Sequence, residues 1–242
     1  MKLFRKLSEK YHDGMNDLFY EYMSKRMNDI NLNDSKIHKG PVVTISRAAG
    51  CTSRNIVDKL SSILNEISGE EKWEVISKEI LHHSAEEMKL HPDKIKAIFE
   101  PKSRNILDEI VQTFISEDYQ LEKKMIKTVT NVIHRFGVEG YKIIIGRAAN
   151  YICSDIEKAL HVRIDAPLNW RIDKVMKNKD LTKEEALNYI NITEKNRANY
   201  RKSIKGKKSL CDDFDLIINQ ASFSQENITD IIMNALKMKN II

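Results

Sequence analysis

The segment that decides the fold reads VVTISRAAGCTSRNI over residues 42–56. Its first four residues are β-branched, which is typical of a short strand buried on both faces. Small and polar residues follow at 50–53, and apolar residues return at helical spacing at Ile56, Val57 and Leu60. The segment therefore predicts a strand, a loop and a helix in that order.

Four further short apolar runs are predicted as strands, with helices between them. These runs lie at residues 73–76, 142–145, 162–165 and 215–219. Continuous β-branched strands that alternate with helices predict an α/β fold whose parallel sheet is covered on both faces. Ligands of such sheets bind at the carboxyl ends of the strands.

The composition restricts the class of protein. The 242 residues are 41% hydrophobic and 31% charged, which is typical of a soluble globular chain and excludes a disordered one. No apolar run approaches the ~20 residues of a membrane span, and the amino terminus lacks the apolar core of a secretory signal. Three widely spaced cysteines suit free thiols in a reducing compartment. We therefore expect a cytoplasmic protein without a membrane partner.

Basic residues are concentrated in one part of the chain. Residues 168–210 carry 12 basic and 5 acidic side chains, whereas the whole chain has a net charge of +5. Such a block attracts the phosphates of a small ligand or of nucleic acid. A solvated helical face is the alternative interpretation. Nucleic-acid binding is the less favoured one, because the block lacks the interleaved aromatic residues of a base-stacking surface.

Several motifs together resemble the cytidylate kinase-like family. Residues 42–56 are similar to its opening, which typically reads I-T-I-S-R-E-x-G-S-G-G-R-x-I. Four later segments are similar to family elements in the same order, and they span residues 143–149, 161–171, 196–201 and 213–219. The resemblance covers about residues 41–240.

The resemblance implies a P-loop NTPase fold, a three-layer α/β/α domain over residues 41–242 with a five-stranded parallel sheet. It further implies a helical acceptor-binding insertion over 78–138 and a basic lid over 168–210. Residues 1–40 precede this domain as a predicted helical arm. The apolar stripe of that arm predicts a packing face or a homodimer contact.

By the same resemblance, the protein binds nucleotide and moves the γ-phosphoryl group of ATP, with Mg²⁺, onto a nucleoside monophosphate such as CMP. Catalysis of phosphoryl transfer is mostly positioning and charge neutralisation, so arginines carry most of the implied roles. The implied phosphate-binding residues are Arg47, Gly50, Cys51, Thr52, Ser53, Arg54 and Asn55. The implied acceptor-binding residues are Ser77, Gly146, Arg147 and Arg197. The implied catalytic cations are Arg54, Arg171 and Arg201, and the metal ligands stay unknown.

The phosphate loop departs from the full Walker A pattern G-x-x-x-x-G-K-[ST]. Thr52 stands at the second glycine position, Ser53 at the lysine position and Arg54 at the position of the magnesium-binding hydroxyl. Left-handed backbone at Thr52 or Ser53 would cost roughly 1–2 kcal/mol each, so we expect a distorted or closed loop. On the acceptor side, Ser77 replaces an aspartate that is frequent in the family. These departures support a second hypothesis, a pseudokinase that binds nucleotide or a protein partner without turnover.

Overall fold

Five short strands form one parallel sheet in the computed structural model, which describes residues 40–77, 117–205 and 214–242. The strands are β1 (Val42–Arg47), β2 (Glu74–Ile76), β3 (Lys142–Ile145), β4 (Ala159–Asp165) and β5 (Leu216–Asn219). The helices are α1 (Arg54–Ile67), α2 (Glu117–Glu139), α3 (Ala149–Ile152), α4 (Leu168–Lys179), α5 (Lys183–Lys205) and α6 (Gln225–Met238). The predicted arm over 1–40 lies outside the described residues except for its last residue, and so does most of the predicted insertion over 78–138.

The strands lie in the order β2-β3-β1-β4-β5, and all neighbours are parallel. β1 is central, because Val42 is in register with Lys142 of β3 and with Ala159 of β4. This confirms the predicted five-stranded parallel sheet. β4 begins three residues earlier than the predicted strand at 162–165, since pairing with β1 extends it back to Ala159.

Helices cover both faces of the sheet, which gives the predicted three layers. On one face, α1 and α6 pack against the strands through a cluster that includes Ile45, Ile56, Leu60, Val162 and Ile232. On the other face, α2 and α3 pack through a cluster that includes Val42, Ile133, Ile144, Ile152 and Cys153. The continuous apolar strands are explained by this burial on both sides.

Helices α4 and α5 bring the basic segment to the loop after β1. Their apolar residues form a third cluster, and Ala49 of that loop belongs to it together with Ile172 and Ile190. α5 begins with a capping box: Glu185 accepts from the N–H of Thr182, and the Thr182 hydroxyl accepts from the N–H of Glu185. The basic block over 168–210 thus begins directly over the carboxyl edge of the sheet.

The described residues all belong to one compact unit of the chain. The predicted boundary between an arm at 1–40 and a domain at 41–242 stays a prediction. No helix among the described residues is both long enough and apolar enough to span a membrane.

Candidate functional site

The loop between β1 and α1 follows the predicted order of strand, loop and helix. Gly50 has φ +94°, a conformation that favours glycine. Thr52 and Ser53 avoid the left-handed conformation that their side chains disfavour, because neither has a positive φ and Ser53 has φ −126°. The loop therefore places its single left-handed residue at its single glycine.

Gln220, which follows β5, holds this loop through its side chain. Its side-chain oxygen accepts from the N–H of Thr52 at 3.0 Å, and its side-chain nitrogen donates to the carbonyl of Thr52 at 2.7 Å. Its own backbone N–H donates to the carbonyl of Asp165 at 2.7 Å. The buried amide thus ties the loop to β4 and β5. Sequence reasoning missed Gln220, although its position directly after β5, at the carboxyl edge, was a usable signal.

Arg171 of α4 supports the loop through its backbone carbonyls. Its Nε donates to the carbonyl of Ala166 at 2.9 Å, and its Nη1 donates to the carbonyl of Ala49 at 3.2 Å. A Cβ on Gly50 would lie 2.9 Å from both Cβ and O of Arg171, so only glycine fits beneath α4. The implied role of Arg171 as a lid cation stays a prediction, and the structure gives it a positioning role.

Two side chains of α5 reach the same loop. Arg197 Nη1 donates to the carbonyl of Arg47 at 2.7 Å, and Glu194 Oε1 accepts from the N–H of Ala49 at 2.6 Å. The first contact joins two residues that the resemblance had assigned to the site. Glu194 was missed, because a glutamate on a mixed-charge helix gives no local signal for a contact 145 residues away.

The loop lies beside a cluster of arginines, which we call the arginine cluster. It consists of Arg47, Arg163, Arg197 and Arg201, which are connected by the effects of their charges on Arg197 and Arg201, and the charge of Arg147 acts on the adjacent Tyr200. Burial lowers the pKa of Arg197, and the neighbouring Arg47 lowers it further. Burial likewise lowers the pKa of Arg201. Because arginine stays protonated in proteins, the cluster holds several positive charges in a partly dehydrated space, which favours an anionic ligand.

Two carboxylates oppose this charge, Asp165 and Glu194. Asp165 Oδ2 accepts from Nε and Nη2 of Arg163 at 2.9 Å each, and Oδ1 accepts from the N–H of Ala166 at 2.8 Å. Glu194 lies 3.7 Å from Nη1 of Arg197. Sequence reasoning missed Arg163, because an arginine within an otherwise apolar strand was not distinguished from a surface residue.

The start of α1 offers further donors to an anion. Among the described residues, no acceptor lies within hydrogen-bonding distance of the N–H groups of Gly50, Ser53, Arg54 and Asn55. α1 also has no acidic residue in its first turn. These N–H groups and the positive end of the helix dipole are of the kind that bind anions in proteins.

Arg54 and Cys51 differ from the other residues of the loop. The side chain of Arg54 is 89% exposed and lies 4.0 Å from Asp58, so it does not belong to the arginine cluster. Burial, followed by the charge of Asp165, raises the pKa of Cys51 to about 11. Cys51 is therefore a neutral thiol at pH 7, and it has a structural place in the loop rather than a nucleophilic one.

The implied acceptor side lies at the ends of β2 and β3. Ser77 follows β2, and the turn after β3 has left-handed backbone at Gly146 (φ +70°), Arg147 (φ +56°) and Ala148 (φ +56°). Left-handed backbone costs roughly 1–2 kcal/mol at each residue other than glycine. Such local strain is typical of functional sites. Arg147 acts electrostatically on Tyr200 of α5, whose pKa burial raises to about 12.

No group of three or more histidine, cysteine or acidic side chains within 40–77, 117–205 and 214–242 could hold a metal ion. Kinase sites usually bind Mg²⁺ through one or two protein oxygens together with substrate phosphates. Ser53 fits such a role, because its hydroxyl is buried and makes no capping hydrogen bond.

Comparisons with solved structures concern the fold of the chain. The chain resembles an uncharacterized protein from Eubacterium ventriosum ATCC 27560, with 20% identity, a TM-score of 0.55, and coverage of 83% of this chain and 99% of that one. It also resembles TT1252 from Thermus thermophilus, with 13% identity, a TM-score of 0.45, and coverage of 83% and 97%. No curated protein matches the sequence. The first likeness supports the α/β fold.

The family comparison covers the sheet, the loop and the helices over it. The cytidylate kinase-like family matches residues 42–222, which is more than half of the chain and includes the loop after β1 and the arginine cluster. The protein therefore belongs to the cytidylate kinase-like family.

Proposed function

We propose that the protein binds a nucleoside triphosphate at the β1–α1 loop and transfers its γ-phosphoryl group to a nucleoside monophosphate such as CMP. The observation that carries this proposal is the arginine cluster beside a loop with unpaired N–H groups. The two substrates bring several negative charges into one place. A phosphotransferase must neutralise these charges, and the cluster supplies fixed cations for that purpose.

The proposed division of the site follows the strand ends. The N–H groups of Gly50 and Ser53 and the start of α1 would hold the donor phosphates, with Mg²⁺ arriving with the nucleotide. Arg147, at the strained turn after β3, would hold the acceptor phosphate together with Arg197. Arg201 would neutralise charge on the transferring group, because its half-buried guanidinium has no ion-pair partner among the described residues.

A second candidate function is nucleotide binding without turnover. It is favoured by the loop itself: Ser53 stands where a Walker lysine would bridge the phosphates, and the side chain of Arg54 is directed to solvent. Two N–H groups of the loop are also paired with side chains, those of Ala49 and Thr52. A loop in this state must rearrange before it can surround a polyphosphate.

The deciding experiment measures binding and turnover separately. Isothermal titration calorimetry with ATP and CMP, each with and without Mg²⁺, tests binding, and a coupled kinase assay with each nucleoside monophosphate tests transfer. Turnover of about 1–100 s⁻¹ would identify a kinase. Binding of ATP with turnover below detection would identify the non-catalytic alternative. If no nucleotide binds, both candidate functions are rejected.

Arg147→Ala tests the acceptor side in the same assays. We expect weaker CMP binding and unchanged ATP binding, since the guanidinium would form a forked contact with one phosphate. Lys237→Ala is the control, because it removes an exposed positive charge from the last turn of α6. Equal loss of CMP binding in both variants would contradict the assignment of Arg147.

A further inference from the structure

One N–H group of the phosphate loop donates a hydrogen bond to a carboxylate of the protein itself. Glu194 Oε1 accepts from the backbone N–H of Ala49 at 2.6 Å. In a loop that binds phosphate, the N–H groups are the donors that meet anionic oxygens of the ligand. A carboxylate and a phosphate both accept short, charge-assisted hydrogen bonds from such donors. Glu194 therefore presents to the loop the same kind of group that a polyphosphate would bring.

Glu194 is also close to the arginine cluster. Its Oε1 lies 3.7 Å from Nη1 of Arg197, and the same Nη1 donates to the carbonyl of Arg47 at 2.7 Å. Glu194 acts electrostatically on Arg201 as well, where its charge opposes the effect of burial. One carboxylate thus lies between the loop and two of the cations that a polyphosphate needs.

Of the two carboxylates near the loop, Glu194 is the one that can leave. Asp165 accepts two hydrogen bonds from Arg163 and one from the N–H of Ala166, so both of its oxygens are held. Glu194 has one hydrogen bond to the loop and a longer ion pair, and its side chain is 28% exposed. Water can therefore solvate Glu194 after it is displaced, which lowers the free-energy cost of its release.

We propose that Glu194 is an internal competitor for the phosphate site, which a phosphate of the incoming ligand displaces from the N–H of Ala49 and from Arg197. This inference rests on the proposed function and extends it to the way in which the site is gated. It predicts that the ligand must bring an anionic group of its own, since a neutral nucleoside cannot replace the carboxylate. It also predicts that the protein binds polyphosphate less tightly than it would if the arginine cluster were present without the competing carboxylate of Glu194.

The test compares variants with inorganic tripolyphosphate as the probe. Isothermal titration calorimetry is run on the full chain as wild type, as Glu194→Gln and as Glu184→Gln. Glu184 is the matched control, because it is an exposed glutamate in the first turn of the same helix and its substitution removes the same charge. We expect Glu194→Gln to bind tripolyphosphate about fivefold or more tightly than the wild type, a lower bound for coupled binding, and Glu184→Gln to bind as the wild type does.

Three outcomes would overturn the inference. Equal or weaker binding by Glu194→Gln would mean that Glu194 shapes the loop for its ligand. If both variants bind tripolyphosphate more tightly by the same factor, the effect comes from net charge in general. If none of the three proteins binds tripolyphosphate, the proposed phosphate site does not exist. Thermal unfolding without ligand checks that the variants fold. If Glu194→Gln does not fold, Glu194→Asp replaces it, since the shorter side chain loosens the contact with Ala49 and should also tighten binding.

ATP and CMP titrations separate this inference from the proposed function. Tighter tripolyphosphate binding by Glu194→Gln with no binding of ATP or CMP would reject the proposed function and support the competitor. Binding of ATP and CMP with no gain in Glu194→Gln would support the function and reject the competitor.

Discussion

The side chain of Arg197, on α5, contacts the phosphate loop and belongs to the arginine cluster. It donates to the carbonyl of Arg47, faces Glu194 and is 35% exposed, so its charge is only partly solvated by water. A cation in this state gains more from an anionic ligand than an exposed one does, because little hydration is lost when the ligand binds.

Arg197→Ala should weaken ATP or CMP binding by about 1.5–3 kcal/mol, the range for a hydrogen bond to a charged group. Lys202→Ala, which removes an exposed charge from the same helix, should change the affinity little. Calorimetric titrations of both variants measure the difference. Equal losses would show that only the net charge of α5 matters.

Gly50 has a steric requirement that another glycine of the chain lacks. Gly50 combines φ +94° with backbone and side-chain atoms of Arg171 at 2.9 Å from an added Cβ, whereas Gly69 has φ +65° and nothing within 4 Å. Gly69→Ala should therefore cost about 1 kcal/mol of unfolding free energy from its backbone conformation alone. Gly50→Ala should cost clearly more, because α4 must also move. Urea denaturation measures both, and equal losses would contradict the close packing of α4 on the loop.

The phosphate loop could be predicted from sequence because its residues are consecutive. One continuous segment predicts a role for Arg47 and for residues 50–55, which stays a prediction, and Gly50 has the left-handed backbone. Gln220 and Glu194 could not be found in that way, since their contacts with Thr52 and Ala49 span 168 and 145 residues. Their side chains are also common on loops and helices of any protein.

At the scale of elements, the signals that predict correctly are local ones. β-branched runs predict the strands, and the hydroxyls of Thr182 and Ser224 accept from N–H groups three positions later, a capping pattern that is visible within four residues of sequence. The start of β4 was predicted too late, because Ala159 and Leu160 gain their strand conformation from pairing with β1. Pairing between segments that are far apart in the sequence cannot be detected from a short stretch of residues.

The cap of α6 gives a test at this scale. The Ser224 hydroxyl accepts from the N–H of Asn227 at 3.2 Å, and α6 buries Ile228, Ile232 and Leu236 against the sheet. Ser224→Ala should lower the free energy of unfolding by about 1 kcal/mol, as the loss of other N-cap side chains does. Ser222→Ala, two residues earlier and exposed, should leave it unchanged. Chemical denaturation of both variants would detect the difference, and a silent Ser224→Ala would reject the cap.

For the molecule as a whole, stability should depend on pH through His161. Burial lowers the pKa of His161 below its ordinary value of 6.5, and its Nδ1 lies 2.8 Å from the Thr44 hydroxyl. The nearby Asp215 and Lys239 act on this pKa in opposite directions. Because the unfolded chain binds the proton more readily, the contribution of His161 to stability is complete above pH 6.5 and is lost as the pH falls below it.

We therefore expect the free energy of unfolding to decrease between pH 7 and pH 5, and His161→Gln to flatten that decrease. Burial alone would raise the pKa of Asp215, but the N–H of His161 and the ammonium of Lys239 together lower it, so Asp215 adds its own loss only at lower pH. Urea denaturation at several pH values measures the slope. An unchanged slope in His161→Gln would assign the effect to other groups.

The phosphate loop lies early in the chain, but late residues complete it. Ala49, Arg47 and Thr52 are held by Glu194, Arg197 and Gln220, at separations of 145, 150 and 168 residues. A ribosome that has translated β1 and α1 has therefore made a loop without its supports. Contacts of such long separation form slowly, since the intervening chain must first be ordered. The proposed affinity for phosphate should thus arise in one late step of folding, when β5 and Gln220 join the rest of the sheet.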